Sequence, residues 1–119
     1  MTDPRRQFGN RGEDLATVFL QSKGFIIIER NWSCRLGEID VICERAEVTH
    51  FVEVKTRKTT AYGYPEEAIT PAKLRHLRRA IEWYLRTLKT QPRDYQMDAL
   101  AIQINPGKSP DFTYIENIS

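Results

Sequence analysis

The stretch His50-Phe51-Val52-Glu53-Val54-Lys55, read with Gly37-Glu38-Ile39-Asp40 upstream, decides the fold. Strict alternation puts Glu53 and Lys55 on one face of a strand and Val52 and Val54 on the other. A carboxylate and an ammonium so spaced are poor choices for a core face. They suit a place where a metal ion and an activated water sit beside a phosphate. Gly37 to Glu44 reads as the preceding strand, with Ile39, Val41 and Cys43 on one face and Glu38, Asp40 and Ile42 on the other. Glu44-Arg45-Ala46-Glu47 is short and polar and suits a hairpin connection. A turn centred near Ala46 places Asp40 opposite or diagonal to Glu53 on the same face. Such neighbours have Cβ atoms roughly 4.5–8 Å apart, close enough for two carboxylates to share one divalent ion.

Outward from this hairpin, the N-terminal residues 1–8 are polar and basic and read as a loose arm. Asn10 and Glu13 have capping-box spacing, which predicts a helix start there, and Gly24 ends that helix. Leu15, Ala16, Val18, Phe19 and Leu20 form its buried side, with Glu13 at the edge of the apolar arc. Phe25 to Arg30 reads as a first strand, broken by Asn31-Trp32-Ser33, with Trp32 as a packing residue. Val48 to Lys55 is the third strand, and residues 56–69 read as irregular. Thr70-Pro71 has the chemistry of a helix N-cap and first position, and the helix should run to about Lys89. Gln91 to Gln96 reads as a linker, Asp98 to Ile104 as a fourth strand, and Phe112 to Ile115 as a short edge strand. The order of elements predicts a single α/β domain over residues 1–119, built on one mixed sheet flanked by helices.

At 119 residues, with 40% hydrophobic and 29% charged residues, the chain suffices for one soluble domain with a real core. A net charge of +2 does not by itself announce a polyanionic partner, so the distribution of charge must make that case. Cys34 and Cys43 lack metal-site spacing and read as reduced thiols of a cytoplasmic protein. The N-terminus has no apolar signal region, and no apolar run approaches membrane-spanning length.

Phosphodiester hydrolysis needs a nucleophile and neutralisation of charge on the phosphate. Hard divalent cations serve both needs and prefer carboxylate oxygens. Asp40 and Glu53 could supply two of these, and the backbone carbonyl of Val54 a third oxygen. Lys55 could orient the attacking water and offset developing negative charge. Glu13 could reach the metal directly or through water, or could simply cap its helix. The blander alternative is an exposed Glu53–Lys55 ion pair worth about 0–1 kcal/mol.

Lys73, Arg75, Arg78, Arg79, Arg86 and Lys89 of the second helix oppose a single acid, Glu82, the pattern expected of a phosphate-binding surface. Arg57 and Lys58, interleaved further on with Tyr62 and Tyr64, could track a nucleic-acid backbone and stack a base, or could belong to an ordinary solvated loop. His50 and His76 have no partners at zinc-site spacing.

Asn10-Arg11-Gly12-Glu13, Arg30-Asn31, Gly37-Glu38-Ile39-Asp40 and Phe51-Val52-Glu53-Val54-Lys55-Thr56-Arg57 closely resemble the bacterial YraN family of uncharacterised proteins. The resemblance continues through Gly63, Pro65, Lys73 and Asp98. That family looks like a branch of the restriction-endonuclease-like PD-(D/E)XK nuclease superfamily and is similar to archaeal Holliday-junction resolvases. The resemblance implies an αβββαβ core, Mg²⁺ or Mn²⁺ dependence and a branched or structured DNA substrate met in repair or recombination. Asp40 matches the superfamily's strand acid, Glu53 and Lys55 its (D/E)-x-K, and Glu13 the helical acid of the resolvase-like branch. Lys73 becomes a candidate to touch substrate or to support the residues that do. Ile39 stands where the superfamily name has Pro, and Gln96 stands where the family usually has Arg. The resolvase analogy implies a homodimer, which the apolar residues do not independently indicate. The expectation is therefore a metal-dependent endodeoxyribonuclease, with a non-cleaving nucleic-acid-binding module of the same fold as the alternative.

Overall fold

The computed structural model describes residues 4–58 and 69–118, with backbone alone over residues 4–10. The central hairpin forms as its alternation requires. Strands β2 (Gly37–Arg45) and β3 (Val48–Arg57) run antiparallel, pairing Arg45 with Val48 and Val41 with Val52. Ala46 and Glu47 make the turn with φ of 52° and 65°. Those left-handed values match the strand twist in a two-residue hairpin, although neither residue is one that favours them.

Around this hairpin lie helix α1 (Pro4–Ser22), β1 (Ile26–Cys34), helix α2 (Pro71–Thr87), β4 (Asp94–Gln103) and β5 (Asp111–Ile115). The strands form one sheet in the order β1-β2-β3-β4-β5. Only the β3–β4 pair is parallel, running from Val48 opposite Asp94 to Arg57 opposite Gln103. A parallel pair needs a long crossover, and α2 lies within it. Ala16 and Leu20 of α1 pack with Val41, Cys43, Val52, Leu100 and Ile102 on one face of the sheet. Leu77, Ala80, Ile81 and Tyr84 of α2 pack with Ile42, Phe51 and Met97 on the other. The domain is a mixed α/β fold with an αβββαβ core and one further antiparallel edge strand.

Several boundaries differ from expectation; strand β3 runs on to Arg57, which takes Thr56 and Arg57 out of the expected irregular stretch. Helix α1 begins at Pro4 rather than Asn10, which takes residues 4–8 out of the expected loose arm. Proline suits a first helical position, because its φ is already helical and its missing N–H has no partner to lose. Strand β1 continues through Asn31-Trp32-Ser33 to Cys34; Asn31 takes a φ of 52° and the pairing with β2 carries on. Strand β4 begins at Asp94 because residues 94–97 pair with β3. Helix α2 ends at Thr87, where Leu88 turns extended, instead of reaching Lys89. The end of α1 is as read: Phe25 N–H bonds Leu20 C=O at 3.0 Å and Gly24 N–H bonds Gln21 C=O at 3.1 Å, with Gly24 at φ 89°. This is a Schellman closure, and Leu20 and Phe25 join the same core. Thr70 caps α2 by accepting from Lys73 N–H at 3.2 Å.

A further difference concerns facing. Ile39 does not share a face with Val41 and Cys43; it joins Ile42, Trp32 and Cys34 in the core beneath α2. The far end of the β1–β2 hairpin curls onto that helix, so strict alternation breaks at Asp40. Gly37 permits the curl, since a Cβ there would lie 2.9 Å from the His76 carbonyl oxygen.

Helix α1 reaches β3 through a similar close approach. A Cβ on Gly12 would stand 2.0 Å from Thr56 Oγ1 and 3.0 Å from its Cβ. Alanine in a helix ordinarily gains about 1 kcal/mol over glycine. Here overpacking against a stiff β-branched neighbour, typically about 1–3 kcal/mol, opposes that gain. Gly12→Ala should therefore lower Tm by about 5 °C, and Thr56→Ala in the same chain should recover part of the loss. A Gly12→Ala variant as stable as wild type would show that α1 does not rest on Thr56.

Candidate active site

The β2–β3 ladder stops at Val41–Val52. Where the next rung would lie, Asp40 Oδ2 accepts the Val54 N–H at 2.7 Å. The N–H and C=O of one extended residue face the same strand edge. The Val54 carbonyl, predicted as a metal ligand, therefore opens to the side that Asp40 occupies. Burial pushes the Asp40 carboxyl up to about 7, and the negative charges of Glu53, Glu38 and Glu13 push the same way. Only the Val54 N–H opposes them.

Glu53 and Lys55 project from β3 toward α2, where with Lys73, Leu74 and Leu77 they line a cavity of about 20 Å³. That is about the space one water needs. Burial raises the Glu53 pKa, while the ammonium groups of Lys73 and Lys55 lower it. Lys73 is held down to about 8, first by burial and then by direct interaction with the Lys55 side chain. Lys73 is thus the one basic residue of α2, among those predicted to bind nucleic acid, that faces this cavity. Arg75, Arg78, Arg79 and Arg86 are exposed, on the helix side away from Leu77, Ala80, Ile81 and Tyr84. Arg86 lies over the Trp83 ring, 5.1 Å from its centroid.

Glu13 comes from α1, one residue after the Gly12–Thr56 contact. Burial raises its pKa, and a side-chain hydrogen bond from Asn31 and the charge of Arg30 oppose that rise. Two further residues, which their sequence positions alone did not single out, act here. Asn31 holds Glu13, and exposed Glu38 adds a fourth negative charge that acts on Glu13, Asp40 and Glu53 alike. The signal for Glu38 was its alternation with Asp40. Arg57 ends β3, and Lys58 follows it at the rim. Tyr62 lies outside the described residues.

Four acids that repel one another, with a backbone carbonyl on the same side, form a hard-oxygen donor set suited to a divalent cation. Among the described residues, however, the one trio of ligand-bearing side chains whose atoms lie within 4.8 Å of one another is His50, Asp98 and Glu116. Mg²⁺ is ordinarily held by one or two carboxylates with several waters, so Asp40 and Glu53 need not converge more tightly to serve it.

The His50–Asp98 cluster has another purpose. Asp98 is fully buried and accepts from His50 Nδ1 at 2.6 Å, Gln96 Nε2 at 2.8 Å, Asn117 N–H at 3.0 Å and the Tyr114 hydroxyl. Four donors satisfy both of its oxygens, which leaves no lone pair facing a metal. The knot ties β3, β4 and β5 together, and gives His50 the partner that sequence spacing did not reveal. Burial, followed by the Asp98 contact, raises the Tyr114 pKa. Burial and the same carboxylate hold Cys43 up at about 12, so its thiol is inert.

An αβββαβ core whose acids gather where two strands part has the architecture of the restriction-endonuclease-like fold. The profile of the uncharacterised protein family UPF0102, the YraN family, matches residues 12–102, and the chain belongs to that family. It is 42% identical over 101 residues to a UPF0102 protein of Caldicellulosiruptor saccharolyticus, covering 85% of this chain and 86% of the relative. A UPF0102 protein of Mycolicibacterium gilvum is 40% identical over 119 residues, covering 98% and 97%. No described helix is long and apolar enough to cross a membrane.

The folded Asp40 carboxyl sits above its ordinary value of 3.8. Its contribution to stability is complete below about pH 4 and is lost as pH rises through about 7. Asp40→Asn keeps an acceptor for Val54 N–H and removes that loss. Its Tm should exceed wild type at pH 8 without divalent ions, and change less between pH 4 and 7. An equal deficit at both ends of the range would sink the assignment. Separately, Tyr114→Phe should cost about 1–3 kcal/mol in denaturant unfolding by withdrawing a buried donor from Asp98; no loss would show that water replaces it.

Proposed function

We propose that this protein is a metal-dependent endodeoxyribonuclease acting on branched or structured DNA in repair or recombination. The observation that carries the reading is Asp40: a carboxylate buried among like charges at the mouth of a strand fork, across from Glu53, whose own neighbours are Lys55 and Lys73. Buried structural acids are normally hydrogen-bonded by several donors or paired with cations, and perturbed carboxylates at a cleft mark functional sites.

In this reading Asp40, Glu53 and the Val54 carbonyl hold Mg²⁺ or Mn²⁺, with Glu13 reaching it through water. The bound cation would neutralise phosphate charge and lower the pKa of a water. Lys55 orients that water and offsets charge on the phosphate as it is attacked. Lys73 keeps Lys55 and Glu53 in register from the α2 side. On a four-way junction, a homodimer would supply the two active sites needed. The separation of the acids beyond a tight trio favours a second reading, a module that binds nucleic acid without cutting it.

Incubating purified protein with plasmid, flap and four-way-junction DNA in Mg²⁺ or Mn²⁺ separates the two. The enzyme should cleave at least one substrate, and Asp40→Asn and Lys55→Ala should each slow cleavage by about 10²-fold or more while leaving DNA binding in EDTA intact. Binding without cleavage in either metal, or cleavage indifferent to both substitutions, would reject the nuclease.

A further inference from the structure

The outer face of α2 carries the arginines expected to bind phosphate, yet it points away from the sheet on which Glu53 and Lys55 stand. A different basic surface lies past the carboxyl end of β3, on the α1 side of the sheet. Arg11, Lys58 and Lys108 line an open groove of about 830 Å³ with Ile104, Asn105 and the Pro106–Pro110 turn. Among the described residues that line it there is no carboxylate.

Three elements build this groove, and each leads back to the candidate site. Arg11 sits two positions before Glu13, on the same helix. Lys58 lies just past the end of β3, the strand that carries Glu53 and Lys55. The Gly12–Thr56 contact fixes these two walls against each other. The third wall, the β4–β5 turn, is joined to the end of β3 by the Ile104 N–H, which bonds the Arg57 carbonyl at 2.7 Å.

The turn itself is braced. Gln103 Nε2 donates to Asn105 Oδ1 at 3.1 Å, and Asn105 Nδ2 donates to Asp111 Oδ2 at 3.0 Å. Lys108 N–H closes the turn on Asn105 C=O at 3.0 Å, with Gly107 at φ 74°. The nearest acid of the turn, Asp111, is thereby engaged with Asn105, one residue beyond the lining. The groove also lies at the carboxyl end of the parallel β3–β4 pair, where open α/β sheets place their ligands.

We propose that this groove binds the sugar–phosphate backbone of one DNA strand, leading it to or from the phosphate held at Glu53 and Lys55. Arg11 and Lys108 meet phosphates of the strand, and Ile104, Pro106 and Pro110 form an apolar bed for sugars. The outward arginines of α2 then contribute long-range attraction rather than contacts. The identity of the occupant rests on the nuclease reading; the groove's role in binding does not require that cleavage occur.

The test is therefore a binding measurement in EDTA, using the full chain and a fluorescein-labelled single-stranded oligodeoxynucleotide over a series of salt concentrations. Arg11 and Lys108 are both exposed, so Arg11→Gln and Lys108→Gln should leave Tm unchanged. Each should weaken binding by about tenfold and reduce the slope of log K against log salt by about one. Arg75→Gln and Arg86→Gln serve as controls and should lower affinity much less. Wild-type affinity and slope in the groove variants, or wild-type protein that binds no DNA, would overturn the proposal. Groove variants that bind poorly, in a protein that never cleaves, would retain the groove and reject only the nuclease.

Discussion

The site depends on a rung that the β2–β3 ladder does not make. Past Val41–Val52 the strands part, and the Asp40 carboxylate takes the Val54 N–H that a neighbouring backbone carbonyl would otherwise hold. That one bond keeps a buried acid in place without neutralising it. The remaining acids arrive around it from independent elements: Glu13 on a helix seated by glycine, Glu38 on the curling hairpin end, Glu53 on the strand across the gap. Among the described residues, none of the charges acting on Asp40 is positive. The fold therefore holds a carboxylate that would be more stable neutral, a usual signature of function placed ahead of stability.

On the α1 face the same sheet shows the opposite arrangement. Asp98 is buried more completely than Asp40, yet four donors satisfy it. The contrast between the two acids is informative. One is surrounded by hydrogen-bond donors and locks three strands together; the other has, among the described residues, a single donor and like charges. Burial alone would not distinguish structural from chemical carboxylates here, whereas the sign of their neighbours does.

Much of this was legible in the sequence. The alternation in Val48–Lys55, the Thr70-Pro71 cap and Gly24 located strands and helix ends because each follows from local backbone chemistry. The opposition of Asp40 and Glu53 followed from the short hairpin. Tertiary contacts decided what was missed. Asn31 stays within a strand despite a φ of 52° because β2 pairs alongside it, and Ile39 changes face because the hairpin curls over α2. His50 and Asp98 each lay on an apolar face of a strand, which signals a buried pair, but their parallel adjacency spans the whole α2 crossover. The arginines of α2 were visible as a basic face, while the direction of that face depended on which side met the sheet.

The hairpin turn has a consequence for how the molecule comes to exist. Ala46 and Glu47 hold left-handed conformations that their side chains disfavour, so the hairpin gains little from its own loop. All four acids lie on α1, β2 and β3, and they leave the ribosome before α2 or β4. The wall that buries Glu53 and the strand that secures β3 arrive later, through a pairing of Val48 with Asp94. Pairing across such a separation is the slow part of folding. A nascent chain that ends at β3 carries every acid of the site and has none of its low-dielectric environment, so the chemistry comes into being only when the second half of the sheet closes.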